Sequence, residues 1–145
     1  MVKINRVEEM PVYQLFYKLA LEVEKMSRDY GYDFRWLRIQ SLRSSESVCA
    51  NMTEGFYAQY STEYLHSLFR CRREARETVT HIRYACDVKL LPKAGTENIC
   101  SRYDNALQQL ANLIKSIERK IHLKGKSKAT VYNVKEGFES YEINP

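Results

Sequence analysis

The stretch Glu46-Ser-Val-Cys-Ala-Asn-Met-Thr-Glu-Gly-Phe56 sets Ser47, Asn51 and Glu54 at spacings of four and three, and Glu63-Tyr64-Leu65-His66 follows shortly after it. A serine nucleophile beside a carboxylate, or a carboxylate-held metal pair, would use such side chains. Neither set is complete. A di-metal bundle site needs two E-x-x-H motifs and two further inward glutamates, and this chain has one such motif, at the start of a helical segment. Periodicity is expected to leave His81 and His122 apart from any thiol or carboxylate constellation, which argues against a Cys/His nucleophile. Cys49, Cys71, Cys86 and Cys100 lie 22, 15 and 14 residues apart with no C-x-x-C pair, fitting neither a zinc site nor a redox motif. They read as reduced, mostly buried small hydrophobes. The sequence therefore assigns no catalytic residue, no metal ligand and no cofactor.

The elements that position these residues are helical. Apolar residues recur every three or four positions in four segments, the spacing that lays one stripe along a helix. The first runs from about Pro11 to Tyr30 on Val12, Phe16, Leu19, Val23, Met26 and Tyr30, with Pro11 suited to its first turn and Gly31 to its stop. The second, about 35–57, carries a weaker stripe of Ile39, Leu42, Ser45, Cys49, Met52 and Phe56, with Gly55 at its exit. The third, about 61–90, can be capped by Ser61 and carries Leu65, Leu68, Arg72, Ala75, Val79, Ile82 and Cys86, closed by Pro92 and Gly95. The fourth, about 96–123, has the cleanest stripe: Ile99, Tyr103, Ala106, Leu110, Leu113, Ile117 and Ile121. Nothing reads as a strand. Short links make consecutive helices antiparallel, so the expected fold is all-α: one up-down-up-down four-helix bundle over residues 1–124 with a tail at 125–145. The chain has no apolar signal core and no run long enough to span a membrane, which points to a cytoplasmic protein.

At roughly 100° per residue, Gln40, Arg43, Ser47, Asn51 and Glu54 share an arc of about 80°, placed opposite the apolar stripe of the second helix. That arc lacks lysine, and the small residues Ser44, Ser47 and Ala50 lie on or beside it. Small side chains admit a neighbouring backbone, and these polar groups can satisfy one another there. The five residues are the expected subunit interface. Arg72, inside the apolar stripe of the third helix, is expected to pair with Glu46.

The formal charge is +5, and because residues 130–145 hold one Lys and three Glu, residues 1–129 carry +7. Arg72, Arg76 and Arg83 fall within about 40° on the third helix, with Arg73 adjacent and Arg70 further round. On the fourth helix Lys115, Arg119 and His122 form a second ridge beside Lys120, leading into Lys124, Lys126 and Lys128. Such ridges attract phosphate backbones. Arg70, Arg72, Arg73, Arg76, Arg83, Lys115, Arg119, Lys120, Lys124, Lys126 and Lys128 are therefore the candidate nucleic-acid contacts. Tyr57 and Tyr60, after Gly55, are candidates for a partner surface.

The pattern Gln40-x-x-Arg43-x-x-x-Ser47-x-x-x-Asn51-x-x-Glu54-Gly55, in a helix that ends before a Ser61-x-Glu63 helix start, resembles the bacterial four helix bundle protein family, also called the 23S rRNA intervening-sequence protein family. The resemblance covers about Val12 to Ile121. The chain departs from the family pattern at Cys49, where proline is usual, and at Arg73-Glu74, where small residues are usual. The basic segment Glu118 to Lys126 looks more like the branch that holds the accessory variability determinant of diversity-generating retroelements. The resemblance implies a homo-oligomer, a pentamer above other sizes, without enzymatic chemistry. For that branch it also implies binding to a reverse transcriptase and to RNA or DNA. The alternatives are a structural or regulatory scaffold that binds no nucleic acid and, behind it, a metal-dependent bundle enzyme.

Overall fold

The computed structural model describes residues 3–126, and four helices hold most of them: α1 Pro11–Ser27, α2 Arg35–Phe56, α3 Ser61–Asp87 and α4 Lys93–Lys126. Single 3-10 turns at Val7–Glu9 and Tyr32–Phe34 lead into α1 and α2. No strand occurs among the described residues. The tail beyond Lys126, Lys128 included, lies outside them.

Three helix ends differ from expectation, each for a local reason. α1 stops at Ser27 rather than Tyr30; Tyr30 stays buried outside the helix, and Gly31 takes φ +83° in the left-handed region that glycine tolerates. α3 stops at Asp87 rather than near residue 90. Its exit is a Schellman closure: Leu90 N–H donates to the Ala85 carbonyl at 2.8 Å and Lys89 N–H to the Cys86 carbonyl at 3.0 Å. The left-handed residue of that closure is Lys89, at φ +71°. Lys89→Gly should therefore stabilise the fold by about 1 kcal/mol, read as a higher melting temperature, because only a side chain bears the left-handed penalty. α4 begins at Lys93, straight after Pro92, so Gly95 lies in its first turn and not in a linker.

The stripes of α1 and α4 bury as their periodicity requires. Val12, Phe16, Leu19 and Val23 meet Ile99, Tyr103, Ala106, Leu110, Ile117 and Ile121 in one core, which Ile114 joins while Leu113 stays half-buried. α2 departs. Its buried residues are Leu37, Ser41, Ser44, Ser45, Val48, Cys49, Met52 and Gly55, while Ile39 is half-exposed. The buried face is thus rotated toward the serines by roughly 60° relative to the apolar stripe. The cause is that α2 packs against two helices, with Leu42, Ser45 and Cys49 toward α1 and Ser41, Ser44 and Val48 toward α3. Serine is tolerated in that seam because its hydroxyl bonds its own helix: Ser41 Oγ donates to the Leu37 carbonyl at 2.7 Å.

Cross-helix contacts show α2 and α3 running antiparallel. Ser44 meets Thr78, Val48 meets Cys71, and Asn51 meets Arg70, the numbers rising on one helix as they fall on the other. Gly55 lies in the last turn of α2, one residue before the helix ends at Phe56, as expected. It is buried, and a Cβ there would stand 2.4 Å from Ser67 Cβ, so α2 and α3 approach closely at this point.

All four cysteines are free; Cys49, Cys71 and Cys100 are buried and Cys86 half-buried. Burial pushes the thiols of Cys49 and Cys71 up to about 12 from 9.0, and the phenols of Tyr30 and Tyr64 up to about 12 from 10.0. Above the unfolded values the unfolded chain has lost these protons while the folded chain keeps them, so the folded state binds more protons and stability falls as pH rises. Denaturant midpoints should decline from about pH 9 toward pH 12, where the buried thiols and phenols titrate.

Candidate nucleic-acid interface

The polar residues of α2 do not lie opposite its buried face; they flank the edge that meets α3. Asn51 Nδ2 donates to the Ser47 carbonyl at 2.8 Å, and its Oδ1 accepts from Arg70 Nε at 3.1 Å. Arg70 Nη2 also donates to Ser67 Oγ at 2.8 Å, directly beside Gly55. Arg70 is therefore turned toward the α2 seam and away from the other arginines of α3. Arg43 binds Glu74 at 3.2 Å and also Glu77, both on α3, while its Nε donates to Gln40 Oε1 at 3.3 Å. Glu54 is exposed and lines a cleft of about 330 Å³ with Glu63, His66, Ser67 and Arg70. Burial, and secondarily the Arg70 charge, hold His66 below its ordinary range.

Arg72 is half-buried and does not pair with Glu46. Its guanidinium sits 5.0 Å from the Phe69 ring centroid, and Glu46 lines the opposite side of α2, in the groove toward α1. The rotation of α2 that buries its serines carries Glu46 away from α3.

Intrachain pairing divides the basic residues into two sets. Arg28 and Arg38 bind Glu24, Arg102 binds Glu22, and Arg43 binds Glu74 and Glu77. The hydrogen bond from Arg28 keeps the Glu24 carboxyl below its usual range. Such exposed pairs contribute about 0–1 kcal/mol each to stability, but they cancel charge on the α1 and α2 surfaces. By contrast Arg72, Arg73, Arg76 and Arg83 of α3 have no acidic partner among the described residues. Neither do Lys115, Arg119 and Lys120 of α4, all exposed. Lys124 is exposed beside them, and the backbone of Lys126 closes α4. Of the acids of α3, Glu74 and Glu77 bind Arg43 of α2, Glu63 lies in the first turn, and Asp87 stands at the C-terminal end on the same side as Arg76 and Arg83.

Between α1 and α2 runs a groove of about 670 Å³ with an apolar floor of Leu21, Leu42, Cys49 and Ala50 and a rim of Glu24, Glu46 and Glu54. Its acidic rim repels phosphate, unlike the arginine face of α3. His81 does have a carboxylate neighbour, contrary to expectation: its Nε2 lies 4.0 Å from Glu77 Oε2, the partner four residues back on α3. No group of three or more His, Cys, Asp or Glu able to hold a metal ion occurs among the described residues. Nor is any described helix long and apolar enough to cross a membrane.

Sequence reasoning missed an aromatic pair at the end of the α3 ridge. Trp36 of α2 and Tyr84 of α3 meet edge to face, ring centroids 5.7 Å apart, and are 50% and 45% exposed. No local signal marks them, since the packing of α2 on α3 brings them together. Tyr57 and Tyr60 are exposed as expected, although the Tyr57 hydroxyl also accepts from Val7 N–H at 3.3 Å.

These features define a basic all-α bundle in which Arg73, Arg76 and Arg83 of α3 and Lys115, Arg119 and Lys120 of α4 are exposed without an acidic partner among the described residues. The chain belongs to the 23S rRNA-intervening sequence protein family, whose model matches residues 8–112. A solved structure with a similar fold is a protein of unknown function from the S23 ribosomal protein family of Bacteroides thetaiotaomicron. It is 21% identical, with a TM-score of 0.65 over 72% of this chain and 98% of that one. No curated protein matches.

Proposed function

We propose that this chain is a non-enzymatic, oligomeric accessory protein that binds RNA or DNA through the arginine face of α3, with the basic half of α4 adding to the field. The observation that carries this reading is that Arg73, Arg76 and Arg83 stand exposed without an acidic partner among the described residues, whereas Arg28, Arg38, Arg43 and Arg102 are paired with glutamates. The family description, which names an rRNA intervening sequence, is consistent with an RNA partner. Mobility-shift assays with RNA and with DNA test it: complexes form at low salt and weaken steeply as salt rises.

The homo-oligomer, with a pentamer favoured, rests on the family resemblance together with the α1–α2 groove, where Tyr17 and Leu21 are half-exposed and a neighbouring chain can bury them. Gln40, Ser47 and Glu54 remain the polar residues proposed for subunit contact. Light scattering tests this, and a monomeric mass refutes it. The proposed reverse-transcriptase partner rests on the resemblance of the basic segment from Glu118 to Lys126 to the retroelement accessory branch of the family, and co-purification with such an enzyme is its test. The second reading, a scaffold without nucleic-acid binding, is favoured by the same groove and gains if no complex forms.

A further inference from the structure

We infer that the nucleic acid held by α3 is single-stranded, and that an unpaired base stacks on the Trp36–Tyr84 pair at the end of the arginine ridge; this rests on the nucleic-acid reading above. At 100° per residue, Arg73, Arg76, Arg83 and Tyr84 share a solvent-facing arc of roughly 100° and span about 16 Å along the helix. Thr80 is exposed between them. Trp36 reaches this face from α2, its indole 5.7 Å from the Tyr84 ring and half-exposed. The Trp36 and Tyr84 rings leave about half their surface open to a partner, and the surrounding charge selects which kind. Three unpaired guanidinium groups on the same face suit a polyanion and disfavour a basic protein surface. Backbone-tracking cations followed by an aromatic platform are the combination that holds single strands without regard to sequence. In a duplex the bases are already stacked, so the platform adds nothing. Asp87, one turn beyond Arg83, marks the end of the phosphate track by repulsion.

Trp36 is the only tryptophan in the chain, so its fluorescence reports the contact directly. The full-length protein is titrated with oligouridylate and with oligothymidylate of about 12 nucleotides, and with a duplex of equal length. Both single strands should quench Trp36 saturably, and the duplex should bind with little quenching. Followed by anisotropy of labelled strands, Trp36→Leu and Trp36→Ala should each weaken single-strand binding by about tenfold, while Trp36→Phe stays close to the parent. Duplex affinity should not change, and circular dichroism confirms that each variant is folded. If folded Trp36→Leu binds single strands as the parent does, while charge removal at Arg73, Arg76 and Arg83 abolishes binding, the stacking site is refuted and the nucleic-acid reading stands. If the parent binds neither strand nor duplex at low salt, both fall.

Discussion

Gly55→Ala should destabilise the bundle by about 3 kcal/mol, read as a fall of about 10 °C in melting temperature. Helix propensity predicts the opposite, because alanine inside a helix is favoured over glycine by about 1 kcal/mol. Geometry outweighs propensity here. The new Cβ would stand 2.4 Å from Ser67 Cβ and 2.9 Å from Ser67 Oγ, and Tyr64 Cδ1 is already 3.1 Å away. Both Cβ atoms are fixed to helix backbones, and carbon atoms attract only near 3.5–4.0 Å, so α2 and α3 must separate by about 1 Å. That separation strains the contacts that depend on the close approach: Ser44 to Thr78 at 2.7 Å, Val48 to Cys71 at 3.2 Å and Asn51 to Arg70 at 3.1 Å. Ser67→Gly in the Gly55→Ala background removes the opposing Cβ and should recover part of the loss, giving a coupling energy well above the additive expectation. A Gly55→Ala protein that melts with the parent, or higher, would show that the helices are not locked at this point.

Reversing the charge of Arg73, Arg76 and Arg83 together to glutamate should reduce nucleic-acid affinity by at least about a hundredfold at low salt. Three such changes shift the formal charge by six units, from +5 to −1. Because none of the three has an acidic partner among the described residues, no folded-state ion pair is broken by the change. Arg43→Glu is the informative contrast. It breaks two ion pairs with α3 but removes no unpaired positive charge, so its main effect should fall on stability.

What was legible in the sequence depended on how many neighbours each helix meets. α1 and α4 bury essentially the residues that their 3.6-residue periodicity selects, and Pro11 marks a true start, whereas Pro92, which the sequence reads as closing the third helix, directly precedes α4. α2 misleads because its tightest contact is made of serine and glycine, which a hydrophobicity pattern counts as solvent-facing. Of the small residues that suggest a second chain as neighbour, Ser44 is buried against α3 of the same chain, while Ser47 is half-buried and Ala50 exposed; Ser41 and Gly55 are buried as well. Glu46 and Arg72 were matched by level along antiparallel helices, which is sound, but rotation about the helix axis decides contact, and that was misplaced for α2. Among the charged candidates, type and position were readable, yet partnership was not. Arg70 and Arg73 look equivalent in the sequence; one is held by Asn51 and Ser67, and the other is free of acidic partners among the described residues. The Trp36–Tyr84 pair joins positions 48 residues apart, so only the fold reveals it.

The central claim is that the exposed arginines of α3 contact phosphates. The most direct test is the salt dependence of binding, measured for the parent and for a folded Arg73→Gln, Arg76→Gln, Arg83→Gln variant on the same single strand. Each lost phosphate contact should flatten the slope of log affinity against log salt by about 0.7–0.9. The account predicts a slope shallower by about two to three, with weaker binding at every salt concentration. Equal slopes for the two proteins, or no binding by the parent at low salt, would contradict it.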